Sequence, residues 1–121
     1  MSNLLELEKS YLRGVPLVTA KGQVDIANCV ELHEAIVEEI NEGRPRVILD
    51  LHALNFIDSA CLGMLLRSLD KAAEVGGTLV LVGNPFIDRV LTVTGLTHLF
   101  NIFRSPQEAA NWLKDSAKQA G

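Results

Sequence analysis

The runs "RVILDL" (residues 46–51) and "TLVLVG" (residues 78–83) are apolar at nearly every position. A strand with one face in water alternates apolar and polar residues, so an unbroken apolar strand must be covered on both faces. Each run leads into a helical pattern. After Ser59, Leu62, Leu65, Leu66, Leu69 and Ala73 recur at spacings of three and four, as far as a stop at Gly76-Gly77. After the second run, Asn84-Pro85 is a strong helix start. Asn accepts from free N–H groups there, and Pro lacks the N–H that a first turn leaves unused. That helix carries Phe86, Val90 and Leu91 and ends near Gly95. Covered strands alternating with amphipathic helices imply a mainly parallel sheet joined by right-handed crossovers.

The flanking segments complete the order. "GVPLVTAKG" (residues 14–22) is a β-type run bounded by Gly14 and Gly22, with Pro16 near its start. The preceding "NLLELEKSYL" (residues 3–12) sets Leu5 and Leu7 against Glu6 and Glu8, as a half-exposed antiparallel edge strand does. Asn28 and Glu31 form a capping-box pattern before a helix with Leu32, Ala35, Ile36 and Ile40 on one face. Glu31, Glu34, Glu38 and Glu42 make a solvated stripe on its other face, and Gly43 ends it. Residues 52–57 read as an ordered connection, "LFNIF" (residues 99–103) as a short strand, and "SPQE" (residues 105–108) as the start of a last helix carrying Ala109 and Trp112. The expected fold is α/β in the order β-β-α-β-α-β-α-β-α. It has a mainly parallel mixed sheet, an N-terminal antiparallel edge strand and about four helices.

Composition narrows the function. A chain of 121 residues without linker, repeat or low-complexity segment reads as one domain over 1–121. That size buries roughly two-thirds of its unfolded surface. A formal charge of −4 and the lack of a basic stripe argue against nucleic acid. No apolar run approaches the roughly 18 residues of a membrane span, and the first ten residues do not read as a signal peptide. Two cysteines, Cys29 and Cys61, are too few for a disulfide framework. A reduced, cytoplasmic domain with no cofactor is expected.

The chemistry concentrates at "FIDSAC" (residues 56–61), where an acid and a hydroxyl stand at a strand-to-helix junction. In a parallel sheet such turns open on one edge, where ligand sites collect. The turn "GQVDIANC" (residues 22–29) is expected beside it, bringing Asp25 and Asn28 towards Asp58 and Ser59. Ser59 reads as the N-cap of its helix, a role worth about 1 kcal/mol. A helix N-terminus also suits a phosphate, so Ser59 is a candidate phosphorylation site as well. Along the helix, Ala60, Gly63, Met64 and Arg67 fall on the expected outward face, a flat strip fit for a partner.

The stretch "LDLHALNFIDSACLGMLL" (residues 49–66) resembles the phosphorylation-site region of anti-sigma factor antagonists, the STAS domain family, whose usual form is Asp-Ser-(Ser/Thr)-Gly-Leu. "GQVDIANCVELHEAI" (residues 22–36) resembles the family's first strand–helix turn, and residues 84–113 its C-terminal third. Ala60 and Cys61 stand where the second hydroxyl and the glycine are usual. The resemblance implies a non-enzymatic binding module. Its unphosphorylated form would bind a serine-kinase anti-sigma factor and release a sigma factor. Phosphorylation of Ser59 would switch binding off, and a phosphatase would reset it. The implied docking face comprises Asp25, Asn28, Asp58, Ala60, Cys61, Gly63, Met64 and Arg67. Cys61, in a first helical turn, and Cys29, near the start of another helix, would each have a thiol more reactive than a free cysteine if exposed.

Three other readings compete. A hydrolase would need His33, His52 or His98 as base for Ser59, but "IDSAC" lacks the glycines of a nucleophile elbow. A metal site from Cys29, His33 and Cys61 would lack a CxxC-type pair, and none is expected. A STAS module that binds a nucleotide or lipid, or scaffolds a complex, without phosphorylation is the alternative.

Overall fold

The computed structural model describes residues 4–120, and their side chains as far as Ser116. Asn3, which begins the expected edge strand, lies outside the described residues. The strands are β1 (Leu5–Leu12), β2 (Val15–Val24), β3 (Arg46–Asp50), β4 (Leu54–Ile57), β5 (Thr78–Val82) and β6 (Ile102–Phe103). The α-helices are α1 (Cys29–Asn41), α2 (Ser59–Glu74), α3 (Pro85–Val93) and α4 (Pro106–Ala120). The sheet runs β1-β2-β3-β5-β6, with β4 added to β2. Only β1 is antiparallel.

The apolar runs of β3 and β5 are covered on both faces, as expected. Val47 and Leu49 of β3, with Leu79 and Leu81 of β5, pack into a large core with α1, α2 and α3. Their neighbours Ile48, Val80 and Val82 pack on the other face against Ala109, Ala110 and Leu113 of α4. Trp112 is exposed and tilts over Phe103, with ring centroids 5.6 Å apart. The β1–β2 hairpin closes through Arg13 and Gly14, both at positive φ (54° and 79°), the geometry of a two-residue turn that matches strand twist.

Four expectations need correction. Residues 54–57 are a strand in parallel register with the end of β2, pairing Val24 with Ile57. Leu54 and Ile57 are buried and Asn55 and Phe56 exposed, so neither alternation nor an apolar run marks the segment. The second strand does not stop at Gly22; it bulges there and runs on to Val24. Gly22, at φ 96°, is pressed against the Leu4 carbonyl, leaving no room for a Cβ. The "LFNIF" strand shrinks to Ile102–Phe103, and Thr97–Leu99 is a 3-10 turn. In α2, Ala73 is exposed, and Ser68 and Ala72 are buried instead.

Candidate functional site

The register of β2 and β4 places Asp25 and Asp58 at neighbouring strand ends. The Asp58 N–H donates to the Val24 carbonyl (2.9 Å), tying the two turns together. Between β2 and α1 the backbone folds on itself. The Asp25 N–H donates to Asn28 Oδ1 (2.9 Å), and the Asn28 N–H donates to Asp25 Oδ1 (3.0 Å). Asn28 Nδ2 also donates to the Gln23 carbonyl (3.1 Å). Asn28 is therefore buried and holds the turn shut. It occupies the N-cap position of α1 without a side-chain capping bond, because its amide is committed elsewhere. The expected exposure of Asn28 on a docking face is corrected accordingly.

At the other turn the cap is Asp58. Its Oδ1 accepts from the Ala60 N–H (2.9 Å), and its carbonyl accepts from the Cys61 N–H (2.8 Å). Ser59 is the first residue of α2 and is exposed. The expectation that Ser59 caps the helix is thus overturned: the acid one residue earlier reaches the free N–H groups, and the hydroxyl is left to solvent.

The expected strip on α2 divides. Ala60 and Arg67 are exposed and Gly63 is half-buried. A Cβ at Gly63 would meet only the end of the Arg67 side chain, 4.0 Å away. Met64 is buried at 3% exposure, contrary to the outward placement expected of it, and Cys61 at 0%, which takes it off the docking face implied for it. α2 packs on α1 as well as on the sheet, so its buried arc is wider than its leucine stripe.

Cys61 is not exposed, so the condition for a reactive thiol there is not met. Burial pushes its thiol up to about 12, helped by a hydrogen bond with Cys29 and by the charges of Asp58 and Asp25. A thiol so shielded is poorly nucleophilic. The side chain that replaces the family's glycine fills the space between two helix starts and does not project from the surface.

Sequence reasoning missed the exposed apolar residues on this edge. Ile26 is 67% exposed, Val30 56% and Phe56 43%. Ile26 sits in the Asp25 turn, and Val30 falls out of phase with the buried set Leu32, Ile36 and Ile40, which was a readable sign.

The histidines are placed elsewhere. His33 Nδ1 lies 2.8 Å from Ser68 Oγ between α1 and α2, His52 Nδ1 lies 2.8 Å from Asp50 Oδ1, and His98 is exposed in the 3-10 turn. Asn84 caps α3 as expected, accepting from the Ile87 N–H (2.7 Å). Its Nδ2 adds donation to the carbonyls of Leu51, His52 and Leu54, clamping the β3–β4 connection. Among the described residues, no helix is long and apolar enough to cross a membrane, and no group of three or more His, Cys, Asp or Glu could hold a metal ion.

The STAS domain profile matches residues 7–109. The putative anti-sigma factor antagonist BtrV of Bordetella bronchiseptica is 29% identical over 107 residues, covering 88% of this chain and 92% of the relative. Among solved structures, an anti-sigma factor antagonist from Mycobacterium paratuberculosis superposes with a TM-score of 0.81 at 23% identity, over 91% of this chain and 94% of that one. The anti-sigma factor antagonist SpoIIAA shares the fold in its unphosphorylated form, with a TM-score of 0.75 at 21% identity over 92% of this chain and 96% of that one. The phosphorylated form of the Bacillus protein gives 0.66 at 22% identity, over 88% and 96%.

Proposed function

This chain belongs to the STAS domain family, and from that premise we propose that it acts as an anti-sigma factor antagonist switched by phosphorylation of Ser59. The unphosphorylated protein docks a serine-kinase anti-sigma factor and frees a sigma factor. The kinase then modifies Ser59 and ends the complex, and a phosphatase restores it. The protein itself catalyses nothing. It works in the cytoplasm, where such partners and ATP are found together.

One observation carries this reading. Ser59 is exposed at the start of a helix already capped by its neighbour Asp58, so its hydroxyl has no structural duty. Around it lie surfaces suited to a partner: Ala60 and Gly63 with Arg67 along α2, and Ile26 and Val30 on the adjoining turn and helix. Asp58 directly precedes Ser59, and the strand register sets the Asp25 turn next to Asp58. Adding about −1.5 to −2 charges there would force the partner to bury a phosphate next to carboxylates. A penalty of roughly 3 kcal/mol lowers affinity about a hundredfold, enough for a switch. BtrV's description and the phosphorylated form of SpoIIAA support the assignment.

The test is to incubate the protein with its cognate kinase and ATP and weigh it. One phosphate is expected on wild type and none on Ser59→Ala. Gly63→Gln should fold normally, since only a flexible arginine end is near, yet should weaken docking by blocking the flat strip. Stoichiometric labelling of Ser59→Ala, or equal partner affinity before and after phosphorylation, would overturn the reading.

A further inference from the structure

The edge of the sheet opposite Ser59 carries a feature of a different kind. β2 and β3 begin there, and Val15 and Arg46 stand level with each other by the register that pairs Leu17 with Ile48. Between the hairpin turn, the start of β3 and α4 lies an open groove of about 410 Å³. Arg13, Arg44, Arg46 and Lys114 line it, with Val15 and Leu113 among its apolar walls.

Its charge is the reverse of the chain's. Four of the eleven Lys and Arg residues border this groove, and none of the fifteen Asp and Glu residues does. Arg44 is neutralised, because Glu39 and Glu42 both accept from it. Among the described residues, the other three cations face no carboxylate. Arg13 donates to Asn111 Oδ1, and Arg46 Nη1 points at the Leu113 carbonyl (3.5 Å). Lys114 makes no ion pair among the described residues. Neutral acceptors thus orient the two guanidinium groups without quenching their charge. Three like charges gathered in one concavity repel one another, and a bound anion would relieve that repulsion.

We propose that this groove binds a small organic phosphate. Guanidinium forks match phosphate oxygens in pairs, and a lysine adds a point charge, so three cations suit a dianion better than a single carboxylate. The ester's body would rest on Val15 and Pro45, the partly exposed apolar residues of the wall. The volume lies within the range of small-molecule sites, roughly 300–1,000 Å³. β2 separates the groove from the Ser59 edge by its ten residues, roughly 30 Å at strand rise. The site is therefore independent of the phosphorylation switch, and either can fail without the other.

Phenyl phosphate, an anion with an apolar body, is the probe. In a titration followed by amide NMR it should shift residues 13–15, 46 and 113–114 saturably and leave residues 58–60 unmoved. Inorganic phosphate should bind more weakly, and added salt should weaken both. The double variant Arg46→Gln/Lys114→Gln should lose about tenfold or more in affinity, the equivalent of one charge-assisted contact. Its thermal midpoint should stay near that of wild type, since Lys114 makes no ion pair among the described residues and Arg46 gives up only a long contact, 3.5 Å, to the Leu113 carbonyl. Absence of saturable shifts, equal binding by the double variant, or shifts centred on Ser59 would each overturn the proposal. So would sedimentation with phosphatidic acid vesicles in place of phenyl phosphate binding, which would reassign the groove to a lipid headgroup.

Discussion

Asp58 and Ser59 divide two duties that the sequence pattern would let one residue hold. The aspartate closes the helix start by accepting from the Ala60 N–H, and the serine stands free on the surface. Stability should respond to the first and not the second. Asp58→Ala is expected to cost about 1 kcal/mol, the value of an N-cap. Ser59→Ala should stay within about 0.5 kcal/mol of wild type, as an exposed substitution does. Urea unfolding of the two variants decides this; the reverse order would return the cap to Ser59. The division also matters for a phosphate mimic, since Ser59→Asp would add charge without disturbing the cap.

At the scale of elements, α1 and α2 share a polar contact between His33 and Ser68 inside an apolar seam. His33 Nδ1 meets Ser68 Oγ, and the Ser68 hydroxyl also reaches the Met64 carbonyl (3.1 Å). Burial, then the positive Arg67 and Lys71, hold the His33 imidazole below the usual histidine range. The unfolded chain therefore binds a proton here more readily than the folded one, and stability must rise with pH. The contribution is complete above the ordinary histidine value and declines as pH falls through it towards the lower folded value. His33→Asn should remove that step from a plot of urea midpoint against pH. An unchanged profile would show that the α1–α2 seam does not sense this proton.

For the molecule as a whole, the least foreseeable group is Glu39. It lies in α1 among the exposed glutamates, yet its side chain is 1% exposed. Arg44 Nε donates to it at 2.7 Å, the Tyr11 hydroxyl at 2.7 Å and Lys9 Nζ at 3.1 Å. The Arg44 guanidinium also lies over the Tyr11 ring, 5.5 Å from its centroid. One carboxylate thereby links the edge strand, the first helix and the approach to β3. The Arg44 bond, joined by those of Tyr11 and Lys9, outweighs burial and holds Glu39 at about 2. Because the folded value is depressed, this stabilisation is present above the ordinary value of 4.5 and is lost as pH falls towards about 2. Glu39→Gln should cost about 1.5–3 kcal/mol at neutral pH, the range for hydrogen bonds to a charged group. It should also flatten acid unfolding between those two values. Retention of the wild-type acid limb in thermal melts would place the sensitivity elsewhere.

The order of elements apart from β4, the coverage of both sheet faces and the presence of a strand-to-helix junction at Asp58-Ser59 were legible because they depend on local period and turn chemistry. A run such as "TLVLVG" demands two apolar neighbours whatever they are. Tertiary structure decided the rest, since those features depend on what stands opposite. Met64 and Cys61 face inward because α2 meets α1 as well as the sheet, and a leucine stripe reports only one of those contacts. β4 is a strand because the end of β2 offers it partners, although its own burial pattern fits no strand period. Glu39 is buried because Lys9, Tyr11 and Arg44 converge on it from outside its helix. The same holds for the cationic groove, where Arg13, Arg46 and Lys114 meet only once the hairpin, β3 and α4 have packed. A charge carries no sign in the sequence of which surface it will share.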